Sequence, residues 1–276
     1  MDFIISDVSS YKLKPIIKQH AMTTNNNNKE LVISYLTIRK AIGWLGMLLP
    51  FMLLLGNYAI NNLDLLNNNL FIGKDCYKVY VPDNSFKSSI SHYYYTTVAP
   101  LFTGVLIAVA LFMFSYKGHV KRDGEFGLSD TALTNLAGLF ALGVVVFPTS
   151  SDSCITDNIH IFISSQTVGN IHYAMAAAFF ISLSFMSIVN FRRTEDRVSF
   201  GKNPEHALFL VCGIGMLSCL VLIFIYRTWL SKSFPELYKI HPVFLLEALA
   251  LIFFGVSWLK KGKVDFLYIF KKIRSK

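Results

Sequence analysis

From residue 41 onward the chain alternates between long apolar runs and short polar ones. Six runs stand out: Ala41–Ile60, Tyr95–Tyr116, Ala132–Pro148, Asn170–Phe191, Ala207–Tyr226 and His241–Leu259. Most approach the ~20 residues that a helix needs to cross about 30 Å of hydrocarbon. The first, AIGWLGMLLPFMLLLGNYAI, is apolar all round rather than along one stripe, which excludes the amphipathic helices of a soluble bundle. Glu247, in the sixth run, is the one Asp, Glu, Lys or Arg inside any of them. The pattern predicts an all-α polytopic membrane protein, a bundle of six transmembrane helices forming one domain over residues 32–262.

The flanks read differently. Residues 1–31 are polar, include the run NNNN and lack the apolar core of a signal peptide, so a disordered tail is expected, with Met22 as an alternative start. Residues 263–276 mix lysines with Phe266, Leu267, Tyr268, Ile269 and Phe270, a composition that predicts a short basic tail lying on the inner leaflet.

Charge then orients the bundle. With the amino terminus inside, 20 of the 26 Lys and Arg residues fall on cytoplasmic segments and 6 on outer loops, so both termini of a multi-pass cell-membrane protein should be cytoplasmic. The formal net charge of +9 is thereby explained by positive-inside loops beside an anionic leaflet, and it gives no reason to expect a nucleic-acid partner. Membrane lipids are the expected partners; oligomeric state is left open.

Of the four cysteines, Cys212 and Cys219 lie seven apart on one face of the fifth span, where packing accounts for them. Cys76 and Cys154 fall in the first and second outer loops and are the disulfide candidates, with free thiols as the alternative.

The polar residues at membrane depth gather at the outer ends of the spans. The stretch SISHYYYTTVAP (89–100) opens the second span with Ser91, His92 and Tyr93–Tyr95, and FPTSSDS, with Asp152, closes the third. His172 lies near the start of the fourth, Arg227 follows the fifth, His241 begins the sixth and Glu247 lies six residues further in. Such groups are costly in hydrocarbon and call for partners. The expected site is a polar outer-leaflet pocket lined by Ser91, His92, Tyr95, Asp152, His172, Arg227, His241 and Glu247, with Ser91, His92 and the tyrosines as rim, His172 between and Glu247 as floor. Three histidines and a carboxylate (His92, His172, His241, Glu247) also match the donor types of a zinc site. No H-x-x-x-H or H-E-x-x-H spacing puts two of them on one helix face. Interfacial histidines hydrating among headgroups, tyrosines acting as aromatic-belt anchors and a snorkelling Arg227 are the competing readings.

Small residues mark close helix crossings: Ala137 with Ala141, Ala174 with Ala178, and the CGIG of 212–215. Asn135 is expected to bond between helices.

The segments ISYLTIRKAIGWLGMLLPF, SISHYYYT, TNLAGLFALGVVVFPT, IHYAMAAAFF and HPVFLLEALALIFFGVSWLKKG, in this order over residues 33–262, resemble a bacterial family of six-span integral membrane proteins to which no activity is attached. The pattern is more distantly similar to the autophagy-modulator and GPI-anchor lipid-remodelling six-span family, which has a polar segment before the second span and a histidine early in the fourth, here His172. The Ser88/His92 spacing is similar to the S-x-x-x-H element of alkaline-ceramidase-like membrane hydrolases; their final paired histidines and one span are missing here. The outer pocket is expected to bind or sense lipid; as the alternative, the ceramidase-like resemblance implies a metal-dependent lipid hydrolase that would use zinc.

Overall fold

A computed structural model describes residues 36–60, 86–118, 127–150, 165–193 and 204–264. Six long helices lie within them: α1 (Leu36–Ile60), α2 (Ala99–Ser115), α3 (Asp130–Val146), α4 (Gln166–Ile188), α5 (Pro204–Ile225) and α6 (Pro242–Lys261). The expected spans coincide with them to within a few residues. Four are long and apolar enough to cross a membrane: α1, α4 and α6, and α5 with its continuation to Ser233. The apolar helices α2 and α3 have 17 residues each and fall short of that length. Among the described residues the chain is thus an all-helical membrane protein with four helices of spanning length.

Local chemistry sets the ends. Ser129 and Ser165 cap α3 and α4, their hydroxyls accepting the amides of Ala132 and Val168 at 3.1 and 3.2 Å. Pro100 and Pro242 stand in the first turns of α2 and α6, where the missing N–H costs nothing. Tyr95, read from the sequence as the start of the second span, belongs instead to a 3₁₀ turn, Ile90–Tyr95, laid before α2.

Consecutive helices pack antiparallel, α2 on α3, α3 on α4 and α4 on α5, and α5 then packs on α6. The sequence closes on itself through small residues. A Cβ on Gly43 of α1 would stand 2.8 Å from Leu259 of α6, and one on Gly255 would stand 2.4 Å from Met47 and 2.8 Å from the Gly43 carbonyl. The CGIG segment works as expected, Gly213 facing Ile188 of α4 and Gly215 facing Phe253 of α6. Ala137 and Ala141 are buried, and so are Cys212 and Cys219, which are free thiols packed in the core. Phe102, Met113, Leu183, Met216, Phe254 and Trp258 fill the centre. Leu55, Leu111, Leu139, Ile181, Val221 and Phe224 point outward, so the perimeter is as apolar as the interior, which suits a hydrocarbon surround rather than water.

We call the end bearing Ile60, Ala99, Val146, Gln166, Ile225 and Pro242 the upper end. At the opposite, lower end lies a polar network that corrects the expectation of one-sided polarity. Asp130 and Asn190 are buried and bonded at 2.8 Å, Arg193 approaches Asp130 at 3.8 Å, Arg39 donates to the Tyr116 hydroxyl at 2.9 Å, and Lys261 donates to the Phe191 carbonyl at 2.9 Å. Each of these residues abuts a helix end, outside or at the margin of the apolar runs, and so is invisible to a search inside the spans. Asn135 makes no interhelical bond among the described residues; it faces outward, and Asp130 and Thr134 are the buried polar residues of α3. The N-terminal tail with Met22, residues 265–276, Cys76, Cys154 and Asp152 lie outside the described residues.

Candidate functional site

The upper end is organised by the 3₁₀ turn. The Ser88 carbonyl accepts the Phe244 amide of α6 at 3.0 Å, and the Ile90 amide donates to the Glu247 carboxylate at 2.6 Å. Both contacts fasten the turn to the first two turns of α6, whose amides and side chains are the free hydrogen-bonding groups of a helix start. On its other side the turn is tied to α3 and α4. The Tyr94 hydroxyl donates to the Val145 carbonyl at 3.1 Å, and that of Tyr95 donates to the Thr149 carbonyl. Tyr93 and Tyr94 are buried, so they pack as core rather than standing as headgroup anchors. Burial pushes the Tyr93 phenol up from its ordinary value, and it stays a neutral hydroxyl.

His172 is fully buried and used at both ring nitrogens. Its Nδ1 lies 2.7 Å from the Phe147 carbonyl, which can only accept; Nδ1 therefore carries the hydrogen. In the neutral ring Nε2 then accepts from the Ser91 hydroxyl at 2.9 Å. A serine on an oriented imidazole is half of a nucleophilic pair, but Ser91 is buried and does not line the cavity beside it, so here the pair acts as a strut between the turn and α4.

A cavity of about 250 Å³ opens beside this strut. Its wall comprises Ser88, Ser89 and His92 from the turn, Ser150 after α3, Tyr173 of α4, Tyr226, Arg227 and Ser231 beyond α5, and Tyr238 to Val243 at the start of α6, represented by Tyr238, His241, Pro242 and Val243. His92 Nδ1 lies 2.9 and 3.1 Å from the hydroxyls of Ser88 and Ser89. Arg227 stacks on Tyr173, its guanidinium carbon 3.8 Å from the ring centroid, while Nη2 donates to the Tyr173 hydroxyl at 2.7 Å. That hydroxyl also meets those of Thr149 (3.0 Å) and Ser150 (3.2 Å). His241 adopts a left-handed backbone (φ 46°, ψ 57°) immediately before Pro242, a costly conformation for a side-chain-bearing residue, and among the described residues its buried Nδ1 has no partner.

Three of the eight expected pocket residues, His92, Arg227 and His241, thus line the cavity. Ser91, Tyr95, His172 and Glu247 lie in the bonded layer behind it, so the expected floor is corrected: Glu247 anchors the 3₁₀ turn, and His172 reaches Ser91 and Phe147 rather than Glu247. The eighth residue, Asp152, lies outside the described residues. The four candidate zinc ligands are not brought together; among the described residues no three His, Cys, Asp or Glu side chains form a metal-holding group. The sequence reading missed Tyr173 and the serines at 88, 89, 150 and 231. Tyr173 follows His172 directly, and one residue's 100° rotation carries it from the strut to the cavity. Compared with protein-family models, curated proteins and solved structures, the chain matches none.

Proposed function

We propose that the chain is a six-span cell-membrane protein with both termini cytoplasmic, and that it binds or senses a membrane lipid through the cavity at its upper end. One observation carries the reading: the chain converges five separate segments on a polar cavity at a helix-end level, where a lipid headgroup would sit, while the perimeter below is apolar. Helices α2 and α3, with 17 residues each, cross with the help of adjoining chain in this reading, the 3₁₀ turn before α2 supplying the missing depth. Exposed Trp229 and Tyr238 then stand at the level of the interface.

The test is lipid retention. Full-length protein purified in mild detergent is expected to carry lipid by native mass spectrometry, and Ser231→Trp, which fills the cavity from its margin, is expected to lose it. Equal lipid occupancy in the two proteins would overturn the assignment to this cavity.

A further inference from the structure

We infer that the cavity receives an oxyanion of the phosphate class, either the phosphate of a lipid headgroup or free phosphate; this rests on the cavity being the binding site. The wall is lined by hydroxyls, imidazoles and one guanidinium, and the Ser231 hydroxyl already donates to the Arg227 carbonyl at 3.3 Å. Arg227, His92, His241, the hydroxyls of Ser88, Ser89, Ser150 and Ser231, and three tyrosines line it, and among the described residues no carboxylate does. The nearby acids are engaged elsewhere: Glu247 accepts the Ile90 amide, and Glu236 is paired with Lys239 at 2.5 Å. Arg227 makes its contacts with a phenol hydroxyl and the face of its ring, and among the described residues no ion pair neutralises its charge. A planar guanidinium held this way presents its remaining N–H groups in the fork that phosphate oxygens match.

Two further features converge on the same chemistry. Pro242 and Val243, the first residues of the 20-residue α6, are part of the wall, so the positive end of that helix faces the cavity. His241, at its cap, holds a strained backbone, and its buried Nδ1 has no partner among the described residues. Size agrees. At about 250 Å³ the cavity is smaller than the ~300–1,000 Å³ usual for whole small-molecule ligands, and it suits a headgroup phosphate with the acyl chains left outside.

The experiment uses full-length protein in nanodiscs and in lipid-depleted detergent. In nanodiscs containing equal phosphatidylglycerol and diacylglycerol, the lipid retained on release into the mass spectrometer is expected to be phosphatidylglycerol. Arg227→Gln should lower that retention about tenfold, the loss of one charge-assisted contact, and Arg227→Lys should restore only part of it, because an ammonium keeps the charge but not the fork. In detergent, inorganic phosphate should raise the melting temperature of the wild type, where chloride at equal ionic strength does not. Equal retention of the two lipids would sink the oxyanion assignment and leave lipid binding standing. Stabilisation by phosphate with no lipid retained would sink the lipid reading and keep the oxyanion site. Neither effect would overturn both. Should Arg227→Gln not fold, displacement of phosphatidylglycerol from the wild type by inorganic phosphate decides in its place.

Discussion

His172 is bonded at both ring nitrogens with no water needed, and this makes it the least replaceable polar residue of the upper end. His172→Leu strands the Ser91 hydroxyl and the Phe147 carbonyl in a dry interior, at about 1–3 kcal/mol for each group. Ser91→Ala removes one donor and leaves Nε2 unpaired, a smaller loss. Glu247→Leu leaves only the Ile90 amide unpaired and also removes a carboxyl from membrane depth, which is itself favourable. The expected order of melting temperatures is therefore Glu247→Leu above His172→Leu, by thermal unfolding in detergent. The reverse order would mean that the carboxylate, not the imidazole, holds the turn.

At the scale of elements, the bundle closes where α1 crosses α6, and the crossing has no room for side chains. A Cβ on Gly255 would collide with Met47 and with the Gly43 carbonyl, a backbone atom that cannot swing aside. Gly255→Val should cost about 1–3 kcal/mol or more through overpacking. Gly104 of α2 is the control: a Cβ there meets nothing within 4 Å, so Gly104→Ala should be neutral or stabilise by up to about 1 kcal/mol. Thermal unfolding of both variants checks the pair. If the two behave alike, α1 does not pack on α6. At the upper end Gly169 lies against Ser150, with 2.8 Å from a built Cβ to the Ser150 amide nitrogen. Gly169→Ala must push Ser150 toward the cavity, and it is expected to lower lipid retention without abolishing folding.

Across the whole molecule, the alternation of the six helices places residues 60, 150 and 165 at one end and residues 36 and 264 at the other. Reporter fusions after Lys276 and within residues 150–168 should therefore report opposite sides of the membrane, with the carboxyl terminus cytoplasmic on the evidence of the basic residues. Finding both on one side would dismantle the six-span reading. The segments holding Cys76 and Cys154 both depart from the upper end, which would face an oxidising compartment in that orientation. A mobility difference between reduced and non-reduced protein, lost in Cys76→Ala, is expected; labelling of both thiols without reductant would exclude the bridge.

The helical class, the helix positions and the close approaches at Ala137, Ala141 and CGIG were legible in the sequence because hydrocarbon imposes them locally; Ala174, expected at such a crossing, is exposed, and the sequence reading did not mark the Gly43–Gly255 crossing. A run of twenty apolar residues must satisfy its own backbone hydrogen bonds, and a glycine or alanine at helical spacing permits close approach whatever its partner. That His92, Arg227 and His241 belong to one site was also legible, since each begins or ends a span at the same level. Which groups touch was not. Sequence position gives a residue's depth along a helix, whereas the rotation of that helix against its neighbours decides whether the side chain meets a cavity, a carbonyl or lipid. Tertiary packing therefore decided that Glu247 serves the Ile90 amide, that His172 serves Ser91 and Phe147, and that Tyr173 turns to Arg227. It also decided the lower network of Asp130, Asn190 and Arg193, in which Asp130 stands 60 residues or more along the chain from the other two and meets them only when α3 and α4 are set side by side.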